Sequence, residues 1–138
     1  MEQVPHRLYL AGPMSGYPKH NFPLFNRVAT RLRDMGYHVF NPAENKDGGK
    51  LRPRSFYMWL DIPALLESEA VVVLPGWEHS RGASLEVWLA VDLDIPVYQC
   101  SELDGRVQLQ RAERLELNSL PFRPDVSSPS FQDQIGMT

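Results

Sequence analysis

Short apolar stretches alternate along the chain with longer segments in which apolar residues recur every three or four positions. The short stretches are closed by glycine, proline or asparagine, and they predict buried strands at residues 8–11, 37–40, 70–74 and 95–98. The longer segments predict helices at residues 25–35, 55–66, 82–93 and 106–117. This alternation is typical of a parallel sheet covered on both faces. We expect a small three-layer α/β domain of four or five strands with right-handed crossovers.

Two details qualify these elements. Ser55 is a good cap for the second helix, whereas Pro63 must kink or restart it because proline has no N–H to donate. Residues 119–138 hold three prolines and four serines among few large apolar residues. We therefore predict one domain over residues 1–118 and a tail over residues 119–138, which either has little structure or packs on a neighbouring subunit.

Composition narrows the possible partners. The chain of 138 residues carries 14 basic and 17 acidic side chains, a formal net charge of −3 that argues against binding a nucleic-acid polymer. No apolar run approaches the length of about 18 residues that a membrane helix needs, so a cytoplasmic protein is expected. Cys100 is the one cysteine, which excludes an internal disulfide and a cysteine-cluster metal site. The four histidines lack metal-ligand spacing, and we expect neither a metal nor a cofactor; they are His6, His20, His38 and His79.

The strand ends indicate where a ligand binds. In parallel α/β sheets, ligands bind beyond the carboxyl ends of the strands. Residues 12–17, 41–42 and 75–82 follow three of the predicted strands and form the most irregular loops. These loops should converge on one edge of the sheet. Four side chains at this edge could bind a base by hydrogen bonds and stacking: Tyr17, Asn21, Phe22 and Asn41.

Glu86 is the most informative single residue, because it lies in a helix that is apolar nearly all round. None of the residues three or four positions away is basic, so no ion pair within the helix explains the carboxylate. One interpretation places Glu86 on a narrow solvated stripe with Asp92 or Ser84. The other makes it a nucleophile or an acid/base group beside the sheet edge.

Asp61 is the second candidate carboxylate. It precedes Ile62 and Pro63, so it could simply cap a restarted helix. Paired with Glu86, it would instead suit glycosyl chemistry, in which one carboxylate attacks or stabilises the sugar carbon and the other handles the leaving group.

The loop over residues 75–83 joins a strand to a helix and predicts an anion site. Its N–H groups and the helix dipole favour a bound anion. The loop also carries the hydroxyl of Ser80 and the positive charge of Arg81, and Gly82 lets an anion approach the backbone closely. Gly12, in the glycine-rich opening loop, faces the same edge. The three tryptophans are interpreted mainly as packing residues, but Trp77 lies in the anion loop and could stack on a base.

Taken together, these motifs resemble the nucleoside 2-deoxyribosyltransferase superfamily. Residues 8–13, Leu-Tyr-Leu-Ala-Gly-Pro, are similar to its opening strand, and Asp61 with Glu86 resembles its carboxylate pair. Ser80-x-Gly82-Ala83-x-x-Glu86 resembles its signature before the nucleophile helix. The chain is similar to an uncharacterised bacterial and phage branch with a Leu-Ala-Gly-Pro-Met opening and a Leu-Pro-Gly-Trp-Glu loop. The resemblance covers residues 8–98.

The resemblance implies a flavodoxin-like doubly wound sheet and cleavage or transfer at the N-glycosidic bond of a nucleoside or nucleotide. It implies that Glu86 attacks C1′, that Asp61 works at the base and that Tyr9 positions Glu86. Members that act on nucleosides tend to carry Asp where this chain has Ser80, so the serine favours a 5′-monophosphate. Family sites often border a subunit interface, and the apolar helix around Trp88 supports a homo-oligomer.

Two other classes of protein remain open at this point. A nucleotide sensor would use the same fold and anion loop without cleaving its ligand, although it would gain nothing from a carboxylate pair near the sugar. A flavin-binding protein of flavodoxin-like fold would need a loop rich in Ser and Thr after the first strand, where this chain has only Ser15.

Overall fold

The computed structural model describes residues 5–45 and 52–112, in which five strands and three α-helices alternate. The predicted tail at 119–138 and the boundary at residue 118 lie outside the described residues. The strands are β1 (Arg7–Ala11), β2 (His38–Phe40), β3 (Ala70–Val73), β4 (Val97–Leu103) and β5 (Arg106–Arg111). The helices are α1 (Phe22–Asp34), α2 (Arg54–Leu66) and α3 (Arg81–Asp92). Three short 3-10 turns precede α1, follow β2 and precede α3: Pro18–Asn21, Pro42–Asn45 and Trp77–His79.

The strands form one sheet in the order β2-β1-β3-β4-β5. The first four pair in parallel, with Leu8 opposite both Val39 and Ala70, and β5 pairs antiparallel to β4. This is the flavodoxin-like order, in which the chain winds in opposite directions from a switch point between β1 and β3. The predicted fold class is therefore confirmed, with an antiparallel strand added at one edge.

Both faces of the sheet are covered, because alternate residues of a strand point to opposite sides. Leu8 and Leu10 of β1 pack in the core beneath α1, on one face. Tyr9 and Ala11 pack in the core on the other face, which α2 and α3 cover. The continuous apolar strands of the sequence thus correspond to a sheet that is buried on both sides.

The predicted helix over residues 106–117 is wrong. Residues 106–111 form β5, and residues 113–117 lie outside the described part of the chain. Val107 is buried between two exposed neighbours, which is the period-two pattern of a strand. Asp104 and Gly105 supply the positive φ angles of 52° and 75° that a tight hairpin turn requires. The hairpin also extends β4 to Leu103, well past the predicted end at residue 98.

The start and middle of α2 also differ from the prediction. The helix begins at Arg54 with Pro53 at its N-cap, so Ser55 is not the cap. It runs through Pro63 as one element and is not restarted there. Pro63 lies in the last turn, where its missing N–H removes a single hydrogen bond, and the fully buried Leu65 beyond it keeps the turn packed on the sheet.

Candidate active site

A cavity of about 780 Å³ opens at the carboxyl edge of the sheet, as the topology predicted. Its walls come from the loop after β1, the start of α1, the 3-10 turn after β2, the first half of α2, and the loop that leads into α3. The volume is in the range of small-molecule sites. The three loops singled out in the sequence therefore do converge on one hollow.

Glu86 lines this cavity from α3. Ala83, Val87 and Ala90 form the stripe by which α3 packs on the sheet, and Glu86 sits one turn from Ala83 and Ala90 on the same side. Only 8% of Glu86 is exposed, so the solvated-stripe interpretation does not hold. The small neighbours of the sequence pattern leave the carboxylate room between the helix and the strand.

Tyr9 holds Glu86 from the sheet. It lies at the centre of β1, is fully buried, and stacks on Phe40 with 5.4 Å between ring centroids and 8° between ring planes. Its hydroxyl Oη donates a hydrogen bond to Oε2 of Glu86. Burial raises the pKa of the Tyr9 phenol above its ordinary value, and the charges of Glu86 and Asp61 raise it further. The phenol therefore stays protonated and remains a donor to the carboxylate.

Asp61 faces the same cavity from α2. Only 6% of it is exposed, and it lines the hollow together with Glu86. Asp61 and Glu86 therefore share one cavity although they are 25 positions apart in the chain, and the charges of both raise the pKa of the Tyr9 phenol. Because α2 is continuous around Pro63, capping of a restarted helix does not account for Asp61.

The predicted anion loop forms the side of the cavity at the start of α3. Ser80 is the N-cap of the helix, and its Oγ accepts a hydrogen bond from the N–H of Ala83 at 3.2 Å. A hydroxyl that accepts this bond still has its own proton to donate. Arg81 and Gly82 line the same wall, and among the described residues no carboxylate lies within ion-pair distance of Arg81. Gly12 lines the cavity from the opposite loop.

Of the residues predicted to read a base, Tyr17 and Phe22 line the cavity, whereas Asn21, Asn41 and Trp77 do not. The amide of Asn21 donates to the carbonyl of Pro13 at 2.9 Å. Asn41 is 3% exposed and is engaged with the Asn26 side chain and the Ala43 N–H. Trp77 is 4% exposed within the core under α3. The two asparagines brace loops and the indole packs in the core, so these three residues lie outside the cavity lining, and their contact with a base stays a prediction.

Several lining residues were missed in the sequence. Tyr57 and Met58 lie four and three positions before Asp61 on α2, so helical spacing alone puts them on the same face as the carboxylate. Arg52 enters the cavity just before that helix, with its guanidinium 4.5 Å from the centre of the Phe56 ring. His20 and His79 also line it and were considered only as metal ligands.

The described residues show neither a metal cluster nor a membrane helix. Within residues 5–45 and 52–112, no group of three or more His, Cys, Asp or Glu side chains is placed to hold a metal ion. In the same ranges, none of the helices has the length and apolar character needed to span a bilayer.

The fold is that of an α/β protein with a flavodoxin-like sheet, and its cavity lies at the switch point of that sheet. Residues 6–99 match the family described as a domain of unknown function, DUF4406, and the chain belongs to this family. Comparison with curated proteins finds no match.

Two solved structures are similar to this chain. A 2-deoxyribosyltransferase from the psychrotolerant bacterium Bacillus psychrosaccharolyticus has a TM-score of 0.54 and 23% identity over 67% of this chain and 70% of that one. A conserved protein from Enterococcus faecalis V583 has a TM-score of 0.51 and 22% identity over 70% of this chain and 63% of that one. At these identities the likeness establishes a shared fold.

Proposed function

We propose that this protein cleaves or transfers at the N-glycosidic bond of a nucleotide, with Glu86 as nucleophile and a preference for 5′-monophosphates. The observation that carries the proposal is the pair of buried carboxylates, Glu86 and Asp61, at one cavity whose rim is the start of α3. Burying two acids near each other is costly, and a site that only bound a phosphate would be weakened by them. The fold shared with a 2-deoxyribosyltransferase supports the same chemistry.

The reaction balances with these two side chains. A Glu86 oxygen attacks C1′ of the sugar, the bond from C1′ to the base nitrogen breaks, and the base leaves with the electron pair. Asp61 in its acid form gives the departing nitrogen a proton. Water or a second base then attacks C1′, gives a proton to Asp61 and releases Glu86 as a carboxylate. The Tyr9 hydroxyl donates to Glu86 Oε2 and so positions the carboxylate for the attack.

The preference for a 5′-monophosphate rests on the wall formed by residues 80–82. The Ser80 hydroxyl has a proton to donate, the Arg81 guanidinium carries a positive charge, and the first N–H groups of α3 have no partner within the helix. A phosphate satisfies all three groups, whereas the 5′-hydroxyl of a nucleoside satisfies only one of them.

The test is release of free base from a panel of nucleosides and nucleoside 5′-monophosphates, followed by mass spectrometry. We expect release from the monophosphates and a loss of at least about a thousandfold in Glu86→Gln, because the amide cannot serve as nucleophile. Glu78→Gln is the matched control, since Glu78 lies on the turn before α3 but does not line the cavity. This variant should keep wild-type turnover.

Binding of monophosphates without release of base would overturn the proposal and would indicate a nucleotide sensor instead of an enzyme. Equal loss of turnover in Glu78→Gln and Glu86→Gln would also overturn it, because the effect would then not belong to the cavity carboxylate.

A further inference from the structure

Three consecutive residues before α1 have left-handed backbones. Lys19, His20 and Asn21 have φ angles of 52°, 54° and 62°. This region is unfavourable for any residue with a Cβ atom, and residues held there cluster at functional sites. A run of three without a glycine persists only where the surrounding contacts enforce it, so the segment requires an explanation.

The loop that carries this run is braced from within. The Asn21 amide donates to the Pro13 carbonyl at 2.9 Å, and the His20 N–H donates to the Tyr17 carbonyl at 3.0 Å. The consequence of this conformation is the position of one side chain: His20 lines the cavity, whereas the adjacent Lys19, with the same backbone, does not.

The imidazole of His20 belongs to an aromatic pair. Its ring centroid lies 5.5 Å from that of Phe22, with the planes tilted by 39°, and both residues line the cavity. Their neighbours on this α1 side are apolar, with Phe25 and Ala43 part of the core on that face of the sheet. The carboxylates stand on α2 and α3, which cover the opposite face. The two carboxylates thus lie on one side of the cavity, and the pair of His20 and Phe22 lies on the other.

We infer that His20 is a specificity-determining residue that binds the flat heteroaromatic group of the ligand. This inference rests on the proposed function, under which that group is the base of the nucleotide. Phe22 presents an aromatic surface for stacking, and the imidazole beside it supplies a hydrogen-bonding nitrogen. Asn21 and Asn41 are engaged in hydrogen bonds within the loops, whereas His20 presents its imidazole at the cavity beside Phe22.

The chain supplies a matched pair of variants, His20→Gly and Lys19→Gly. Both place glycine at a left-handed position, so both relieve the same backbone strain and should keep or slightly raise the melting temperature. Only His20→Gly removes a side chain from the cavity. His20→Asn keeps a residue that tolerates the left-handed region, and it tests whether a hydrogen-bonding group without the ring is enough.

The measurement is the affinity of each variant for the common nucleoside 5′-monophosphates and for ribose 5-phosphate, by calorimetry. We expect His20→Gly to bind at least one nucleotide about tenfold more weakly than Lys19→Gly, with ribose 5-phosphate unchanged. Equal affinities of His20→Gly and Lys19→Gly for every nucleotide would overturn the inference. It would also be overturned if His20→Gly bound nucleotides and ribose 5-phosphate equally more weakly, or if the wild type bound no nucleotide. Binding without base release would overturn the proposed function alone.

Discussion

At the residue scale, the main feature of the candidate site is the buried Tyr9, which donates a hydrogen bond to the buried carboxylate of Glu86. Burial and the charges of Glu86 and Asp61 raise the pKa of Tyr9 above its ordinary value, so its phenol keeps the proton that it donates to Glu86. A hydrogen bond to a charged group is worth about 1.5–3 kcal/mol, enough to fix the orientation of Glu86. The candidate nucleophile Glu86 is therefore positioned by Tyr9 of β1.

The sequence could single out Glu86 and Asp61 as candidates because each is a carboxylate in an apolar helix. Only their burial and the continuity of α2 in the structure exclude the solvated stripe and the helix cap. The sequence could not reveal the roles of Asn21 and Asn41, because their hydrogen bonds to Pro13 and Asn26 depend on how loops fold back. Polar residues near a ligand edge are equally suited to both tasks, and only the structure separates them.

Ser80 allows a prediction about substrate choice. Ser80→Asp keeps an N-cap acceptor for Ala83 but replaces a hydroxyl donor by a negative charge beside the expected phosphate. We expect the kcat/KM for 5′-monophosphates to fall roughly 10–100-fold, equivalent to losing one charge-assisted hydrogen bond, with nucleosides unaffected. Steady-state kinetics on matched nucleoside and nucleotide pairs measures this.

Ser80→Asn is the control for Ser80→Asp, since it caps the helix without adding charge. It should retain most of the preference for monophosphates. A parallel fall for nucleosides and monophosphates in Ser80→Asp would contradict the assignment of this wall to the phosphate.

At the element scale, periodicity predicts the described α-helices and parallel strands, whereas residues 106–111 form a strand where periodicity predicts a helix, because a hairpin turn precedes them. Residues 106–117 carry enough charge to read as an exposed helix, but Asp104-Gly105 is a strong hairpin signal. Once that turn forms, every second residue of β5 faces the sheet side covered by α1, and Val107 and Leu109 pack against the core there. The ladder with β4 then outweighs any local preference for helix.

The loop between β3 and α3 also depends on a contact that sequence does not show. Gly76 has a φ of +85°, and a Cβ built there would lie 2.6 Å from the Tyr17 hydroxyl and 3.3 Å from Pro13. Gly76 therefore lets the loop after β1 close against the loop before α3, which brings Tyr17 to the cavity wall.

Gly76→Ala tests this contact between the two loops. The backbone strain should cost about 1–2 kcal/mol, and the half-exposed Tyr17 should swing away from the added methyl group. We expect weaker nucleotide binding together with this loss of stability. Titration calorimetry and urea unfolding measure the two effects.

Gly36→Ala is the matched control for Gly76→Ala, because Gly36 has a φ of +100° and nothing within 4 Å of a built Cβ. It should lose similar stability and no affinity. A much larger loss of stability in Gly76→Ala than in Gly36→Ala would mean that Tyr17 cannot move, and unchanged binding would remove Tyr17 from the site.

At the scale of the whole molecule, topology decides where the site lies. The winding of the strands brings residues from positions 10 to 86 to one edge, so the location of the cavity was predictable from the order of strands and helices. The placement of both carboxylates on one side of the cavity, opposite His20 and Phe22, was not predictable, because it depends on which face of the sheet each helix covers.

The antiparallel edge makes the stability of the whole fold sensitive to alkaline pH through Cys100. This thiol lies in β4 opposite Leu109 of β5, and burial, with a further contribution from the charge of Glu102, raises its pKa from 9.0 to about 11. Below pH 9.0 the folded and unfolded chains both keep the proton. Between pH 9.0 and about 11 only the folded chain keeps it, so the contribution of this thiol to stability is lost as the pH rises.

Cys100→Ala separates this effect from packing. Near pH 8 the variant should be less stable than the wild type because the smaller side chain leaves a void, and that packing cost does not depend on pH. The difference between the two proteins should therefore narrow steadily as the pH rises from 9.0 to about 11. Urea unfolding at intervals of pH measures the difference directly, and lysine and tyrosine titration cancels between the two chains. A constant difference across the range would mean that the thiol ionises alike in both states and that β5 does not shield β4 from solvent.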